Sequence, residues 1–262
     1  MSGKVLVGPC GFPEARARLF RDFRILEVQE GFYRPLRPER AARWRAEAPE
    51  GFVFTLKAWQ LLTHEPSSPT YRRLGRPLSA AERRLAGGLR WNAVTRRAWS
   101  ATLETARALG AAAVLLQLPP RFDPSPAHLR RLRRFCEAAE RDGRRLALEP
   151  RHPDWTDALL RRLAQELALT VAVDPFLRPP PAPGLRYFRL HGLPAYRYGH
   201  RYSDEELRRL AGMLRGPWPH WVLFNNLAMA ADARRFQRLL LEGEGAQEEG
   251  RRGSSRRRTR SR

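Results

Sequence analysis

Hydrophobic and polar positions follow a repeating unit along this chain: a short apolar run, an abrupt polar terminus, then a stretch with helical spacing. Eight apolar runs have the length and bounded character of strands: Val5 to Val7, Ile25 to Val28, Phe52 to Leu56, Ala113 to Leu116, Leu146 to Leu148, Leu169 to Val173, Tyr187 to Leu190 and Trp221 to Phe224. Amphipathic periodicity between most of them predicts helices over Pro38 to Ala48, Val94 to Leu109, Pro126 to Arg141, Trp155 to Leu167, Asp204 to Leu214 and Ala230 to Leu241. The stretch Arg145 to Trp155, RLALEPRHPDW, shows the unit most clearly. Leu146, Ala147 and Leu148 read as a buried strand that empties Glu149, Arg151, His152, Asp154 and Trp155 onto a rim, while Pro150 and Pro153 stop the strand.

Eight strands alternating with helices indicate an α/β fold, a (β/α)8 TIM-like barrel. An open doubly wound sheet is the runner-up, but no glycine-rich phosphate-binding turn follows the first strand. Ser79 with Glu82 and Ser203 with Glu206 read as capping boxes that start helices. Two connections break the rhythm. Leu61 to Asn92, rich in Arg, Pro and Ser, predicts a long loop after strand 3 at the barrel mouth. Pro175 to Gly184 (PFLRPPPAPG) is too short and proline-rich for a helix, so the barrel should lack a regular sixth outer helix.

Composition refines the picture. A chain of 262 residues with 42% hydrophobic content suits one large domain, taken as residues 1–241. From 242 to 262 apolar periodicity gives way to Gly, Glu, Ser and Arg, which predicts a disordered, arginine-rich tail. No apolar run approaches the roughly 18 to 20 residues of a membrane span, and the N-terminus lacks a signal-peptide layout. A soluble, cytoplasmic protein with no membrane partner is expected. Cys10 and Cys136 are too isolated for a disulfide framework or a metal knuckle.

The formal net charge is +22, and the tail's seven arginines and four glutamates account for only +3 of it. The remaining +19 on the body favours anionic partners, a small molecule or nucleic acid. A GC-rich, thermophile-like composition is the alternative source of this charge, because Lys4 and Lys57 are the only lysines among 49 basic residues.

In a barrel the strand C-termini converge on one mouth. Read in order, those ends supply Cys10, Glu27, Gln29, Lys57, Gln117, Glu149, Arg151, Asp174, Arg189, His191, Asn225 and Asn226. Lys57, Glu149, His191 and Glu27 are the candidate catalytic groups, with Glu149 or His191 moving a proton. Arg151, Arg189, Gln117, Asn225, Asn226 and His64 are candidate substrate-binding groups, joined by the rim aromatics Tyr33, Trp155 and Tyr198. Two readings of Glu149 and Glu27 stay open: acid/base groups, or neutralising partners for Arg151 and Arg189. For Lys57, phosphate or carboxylate binding, a nucleophilic amine and structural pairing all remain open. His191, Glu149, Asp174 and Glu27 could supply ligands to a divalent metal, but no HExxH-like spacing enforces one, so the metal-free reading is preferred and the cofactor is left unassigned.

Several blocks in order, GPCGF, EVQEGFYRP, FVFTLKAWQLLTH, LLQLPPRF, LEPRHPDW, YFRLHG and FNN, resemble the DUF72 (YecE-like) family. The resemblance implies a TIM-like barrel with a polar pocket formed by Glu27, Phe32, Tyr33, Lys57, His64, Gln117, Glu149, Arg151, His152, Arg189, His191, Asn225 and Asn226. It departs from the family where VQEGFY replaces a VExNxTFY-like pattern and where the segment after FNN lacks an expected glycine. The leading functional expectation is a cationic pocket for a phosphate-bearing ligand, in a nucleic-acid-processing hydrolase similar to endonuclease IV-type barrels. A phosphosugar or sugar-acid isomerase or lyase and a non-catalytic nucleic-acid-binding protein are the alternatives.

Overall fold

The computed structural model describes the backbone of residues 3–258 and the side chains of residues 3–243. Eight parallel strands, β1 (Val5–Pro9), β2 (Ile25–Val28), β3 (Val53–Lys57), β4 (Ala111–Gln117), β5 (Arg145–Glu149), β6 (Leu169–Val173), β7 (Arg186–Leu190) and β8 (His220–Phe224), form one sheet. The order β1-β8-β7-β6-β5-β4-β3-β2 curls it into a barrel. Seven edges are laddered; the eighth, between β1 and β2, is joined by a single parallel bridge between Cys10 and Glu27. Gly8 sits on that seam, where a β-carbon would lie 1.9 Å from the Ile25 carbonyl oxygen, so only glycine lets β1 come this close to β2.

Period-two alternation sorts each strand into a lumen face and an outer face. Ile25, Ala113, Leu115, Ala147, Ala172, Tyr187, Trp221 and Leu223 pack together inside the cylinder. Small alanines opposite large rings let a narrow barrel fill without voids. Their neighbours Leu146, Leu148, Val114, Leu116, Phe188, Val222 and Phe224 face outward into the larger core beneath the helices. Continuing the lumen parity toward the strand C-termini reaches Glu27, Lys57, Gln117, Glu149, Arg189 and His191, and this repeat is what positions the site.

Among the described residues ten α-helices follow the strands: α1 (Arg16–Asp22), α2 (Glu30–Tyr33), α3 (Pro38–Glu47), α4 (Gln60–Thr63), α5 (Ala80–Leu85), α6 (Ala93–Leu109), α7 (Pro126–Ala138), α8 (Asp157–Glu166), α9 (Asp204–Met213) and α10 (Met229–Arg258). Both predicted capping boxes are present, at α5 and α9, and Asn92 with Thr95 makes a third at α6. No helix lies between β6 and β7, as the proline run predicts. The segment after β3 is long but not featureless, since α4, a 3-10 turn over Pro69–Arg73 and α5 divide it.

Past residue 242 the backbone of α10 is described to Arg258, and side chains from 244 onward lie outside those described. No helix among the described residues is long and apolar enough to cross a membrane.

Candidate functional site

Arg189, wholly buried, is the centre of the mouth. It donates from Nε to Glu27 Oε2 at 2.9 Å and from Nη2 to Glu27 Oε1 at 2.6 Å, a bidentate pair, while Nη1 donates to Glu149 Oε2. Tyr187, below it on the same face of β7, donates its hydroxyl to Glu27 Oε2 at 2.8 Å and lies 2.8 Å from Thr55 Oγ1. The second glutamate, Glu149, also receives Arg151 at 2.7 Å. Burying such groups costs several kcal/mol each, recovered only when the charges pair and their remaining valences are filled.

These contacts set the charge states. Burial would raise the Glu149 carboxyl, but Arg151 and Arg189 outweigh it and hold the group down at about 2. Burial would lower the Arg189 pKa, but Glu149 and then Glu27 raise it well above its usual value. Buried Cys10, near the Glu27 carboxylate, has its thiol pushed well up, which removes it as a thiolate nucleophile.

His191 is also wholly buried. Arg189 Nη1 at 3.1 Å and Arg151 Nη2 at 2.9 Å both point at its Nε2. Two donors require an acceptor, so the neutral tautomer with its proton on Nδ1 is assigned, facing Asp174 Oδ2 across a long 3.5 Å contact. Burial lowers its pKa as well. A ring whose lone pair is engaged by two guanidiniums is a poor proton acceptor in this arrangement. Gly192 follows at φ 90°, with the Arg197 carbonyl oxygen 2.0 Å from where a β-carbon would stand, which explains the His-Gly pair.

Lys57 differs from the two arginines. Its Nζ donates to the neutral Gln117 Oε1 at 2.9 Å and lies 3.8 Å from the centre of the Phe32 ring. Among the described residues no carboxylate pairs with it. Burial, then Arg189, lowers its pKa to about 7. His64 joins this side of the mouth, with Nδ1 2.8 Å from Thr63 Oγ1 and its ring edge against Phe32; burial, then Lys57, lowers it to about 3. Across the mouth, the Arg151 guanidinium stacks over Tyr196 at 4.1 Å, and Tyr198 lies 6.0 Å from the His191 ring. Asn225 accepts from Gln29 Nε2 at 2.8 Å, tying β8 to the end of β2.

Other expected members fall outside the site. Trp155 is core: fully buried, it donates Nε1 to the Phe122 carbonyl at 3.0 Å and stacks on that ring. Asn226 follows the outward parity of Phe224 and donates to Asp232 Oδ2 at 2.7 Å and the His200 carbonyl at 2.8 Å, so it fixes the start of α10. Tyr33 lies under Arg73, whose guanidinium is 3.7 Å from its ring, and its carbonyl accepts from Trp59 and Gln60. His152, by contrast, stays at the mouth, lining the cavity beside Arg151, and accepts from the Asp154 amide at 3.2 Å. Tyr187 and Thr55 are the members the strand-end reading missed; alternation from Arg189 and Lys57 points to both.

Among the described residues no group of three or more His, Cys, Asp or Glu side chains could hold a metal ion. His191, Glu149, Asp174 and Glu27 do not form a ligand set, because Arg189 and Arg151 occupy the Glu27 and Glu149 oxygens and the His191 lone pair, while Asp174 accepts from the His191 and Phe176 backbone amides. Nor does the mouth carry the body's positive surplus, since Lys57, Arg151 and Arg189 are matched by Glu27, Glu149 and Asp174.

Comparison with solved structures places the fold among known barrels. A DUF72 family protein from Enterococcus faecalis superposes with a TM-score of 0.68 at 20% identity, covering 92% of this chain and 98% of the other. One from Thermotoga maritima gives 0.67 at 22% identity over 90% and 99%. A xylose isomerase domain containing protein from Salmonella typhimurium gives 0.54 at 15% identity over 87% and 94%, a likeness of fold alone. No match is found among curated proteins. The profile described as "Protein of unknown function DUF72" matches residues 12–256, nearly the whole of the barrel and its last helix, and the chain therefore belongs to the DUF72 family.

Proposed function

We propose that the barrel mouth binds a small anionic ligand of the phosphate or carboxylate class, with Arg151 and Lys57 as its anchors. The observation that carries this reading is a pair of buried donors with unspent capacity. Arg151 Nε is buried without a hydrogen-bond partner, and Lys57 Nζ has only a neutral acceptor. Arg189, by contrast, spends its guanidinium on Glu27 and Glu149 and belongs to the framework. A pocket of about 250 Å³ lies beside Arg151, lined also by Glu149, His152, Asp174, Arg178 and Tyr196. Glu149, His191 and Tyr196 hold the Arg151 guanidinium in one orientation, so little ordering entropy remains to oppose ligand binding.

Inorganic phosphate is the direct probe. It should raise the melting temperature of the full chain more than chloride at matched ionic strength, by about 2.7 kcal/mol of stability at a hundredfold excess over Kd. Arg151→Met should remove that increment. A phosphate effect no larger than that of chloride overturns the reading. The net charge of +22 supports a nucleic acid as the carrier of the phosphate. An oligonucleotide that displaces inorganic phosphate favours this polymeric version, and one retained without displacing it places polymer binding on the outer surface.

A further inference from the structure

We propose that Lys57 is a carbonyl-condensing nucleophile, its amine forming an imine with the aldehyde or ketone of a small anionic oxo compound, an oxo acid or a phosphorylated carbonyl. This rests on the anion-binding reading for the orientation of the ligand: Arg151 holds the acid group and Lys57 meets the carbonyl.

Residue choice is the first support. Every other cationic position of the folded chain apart from Lys4 is arginine. A guanidinium binds anions at least as well as an ammonium, and what it cannot do is deprotonate and condense with a carbonyl. Geometry is the second. Both glutamates buried at the mouth are taken by Arg189 and Arg151, and the Lys57 amine is left against Gln117 Oε1 and the face of Phe32. An amine paired with a carboxylate would be locked as ammonium, whereas this one has a neutral acceptor and an apolar wall. With its pKa lowered to about 7 by burial and then by Arg189, a large share is unprotonated amine near neutrality.

The step balances without an oxidant. The Nζ lone pair attacks the carbonyl carbon, the carbon–oxygen π pair moves onto oxygen, and a proton shifts from nitrogen to that oxygen to give a carbinolamine. One further proton converts the hydroxyl into departing water as the nitrogen lone pair closes the C=N bond. Amine, carbonyl and one proton thus become iminium and water. The ionised Glu149, which acts on Lys57 through space, favours the cationic product.

The test is borohydride trapping on the full chain with pyruvate and dihydroxyacetone phosphate, read by peptide mass mapping. With only two lysines, three amines compete: Lys57, Lys4 and the α-amino group. Lys57, at the mouth end of its strand beside the anion-binding Arg151, should carry the label, and exposed Lys4, which precedes β1 at the opposite end of the barrel, should not. The α-amino group, which titrates nearer neutrality, is the internal reference and should label more slowly than Lys57. Inorganic phosphate should slow the labelling of Lys57 alone, and Lys57→Arg should abolish it. No secondary amine at Lys57, or labelling that only keeps pace with the α-amino group, overturns the proposal. If phosphate still raises the melting temperature in that case, the anion-binding reading stands without it. If uncharged acetone labels Lys57 as readily as pyruvate and phosphate has no effect, the anion-binding reading fails and the nucleophile remains.

Discussion

The two ends of the barrel carry cavities of equal size, about 250 Å³ each, built on the same two strands, β5 and β6, and they differ in chemistry. At the base the walls are Arg145, Thr170 and the proline run Pro180 to Pro183, where a sixth helix is missing. At the mouth they are Glu149, Arg151, Asp174 and Tyr196. Volume therefore does not tell a site from a gap; the need of buried charge for partners does. Strand β7 repeats the contrast within a few residues. Half-buried Arg186 at its base donates to the Ala182 carbonyl, and fully buried Arg189 at its top holds two carboxylates.

Removing each arginine of β7 gives the largest expected difference. Arg189→Met leaves Glu27 and Glu149 buried without their shared cation and should cost about 3–5 kcal/mol in urea unfolding, while Arg186→Met should cost about 1 kcal/mol. Equal losses would break the comparison.

Titration sharpens it next. The folded Glu149 pKa, at about 2, lies below its unfolded value, so this group's stabilisation is complete above about pH 4.3 and is lost as the pH falls toward 2. Lys57 has the same slope for a different reason: its folded pKa of about 7 also lies below its unfolded value, but here it is the charged form that folding disfavours, so the unfolded chain binds the extra proton between about pH 7 and 10.4 and stability rises with pH through that window. Lys57→Met should flatten that rise, by on the order of a few kcal/mol across the window, and should leave the neutral-pH fold at least as stable as wild type. A variant less stable than wild type at pH 7 would show that Lys57 is a paired structural cation.

The smallest effect is expected at the base, where exposed Arg145→Ala should change stability by less than about 0.5 kcal/mol and leave the phosphate response intact. Loss of that response would move the ligand to the wrong end of the barrel.

Much of this was legible because a barrel imposes two regularities on its sequence, apolar runs of strand length and alternation within them. The runs locate all eight strands, and the polar residues within or just after them find Glu27, Lys57, Gln117, Glu149 and Arg189. What escaped lay one step beyond those rules. Helix α1 is a short, charged stretch, RARLFRD, with only Leu19 and Phe20 buried, too little periodicity to register. Trp155 resembles a rim aromatic by position, but proximity in sequence to a strand end does not fix direction, and its indole turns under Phe122. Asn225 and Asn226 are adjacent and chemically identical; only parity with Leu223 and Phe224 separates the one bonded to Gln29 from the one that anchors α10. Tyr187 is the reverse case, an apparent core residue whose hydroxyl completes the coordination of Glu27. The division of roles among the cations depends on which carboxylate oxygen each reaches, and no sequence spacing encodes that.

The seam between β1 and β2 makes the cylinder a clasp. Seven edges hold by continuous ladders and the eighth by one bridge, at Cys10 and Glu27. Because Glu27 is also the carboxylate that Arg189 grips, the fastening of the barrel and the organisation of its mouth share a single residue. In hydrogen-exchange terms, the backbone amides along this seam should open at lower free energy than those of β4 and β5, and that opening should track the charge state of the mouth. Occupancy of the pocket at one end would then be readable as slowed exchange along one side of the cylinder, far from any atom the ligand touches.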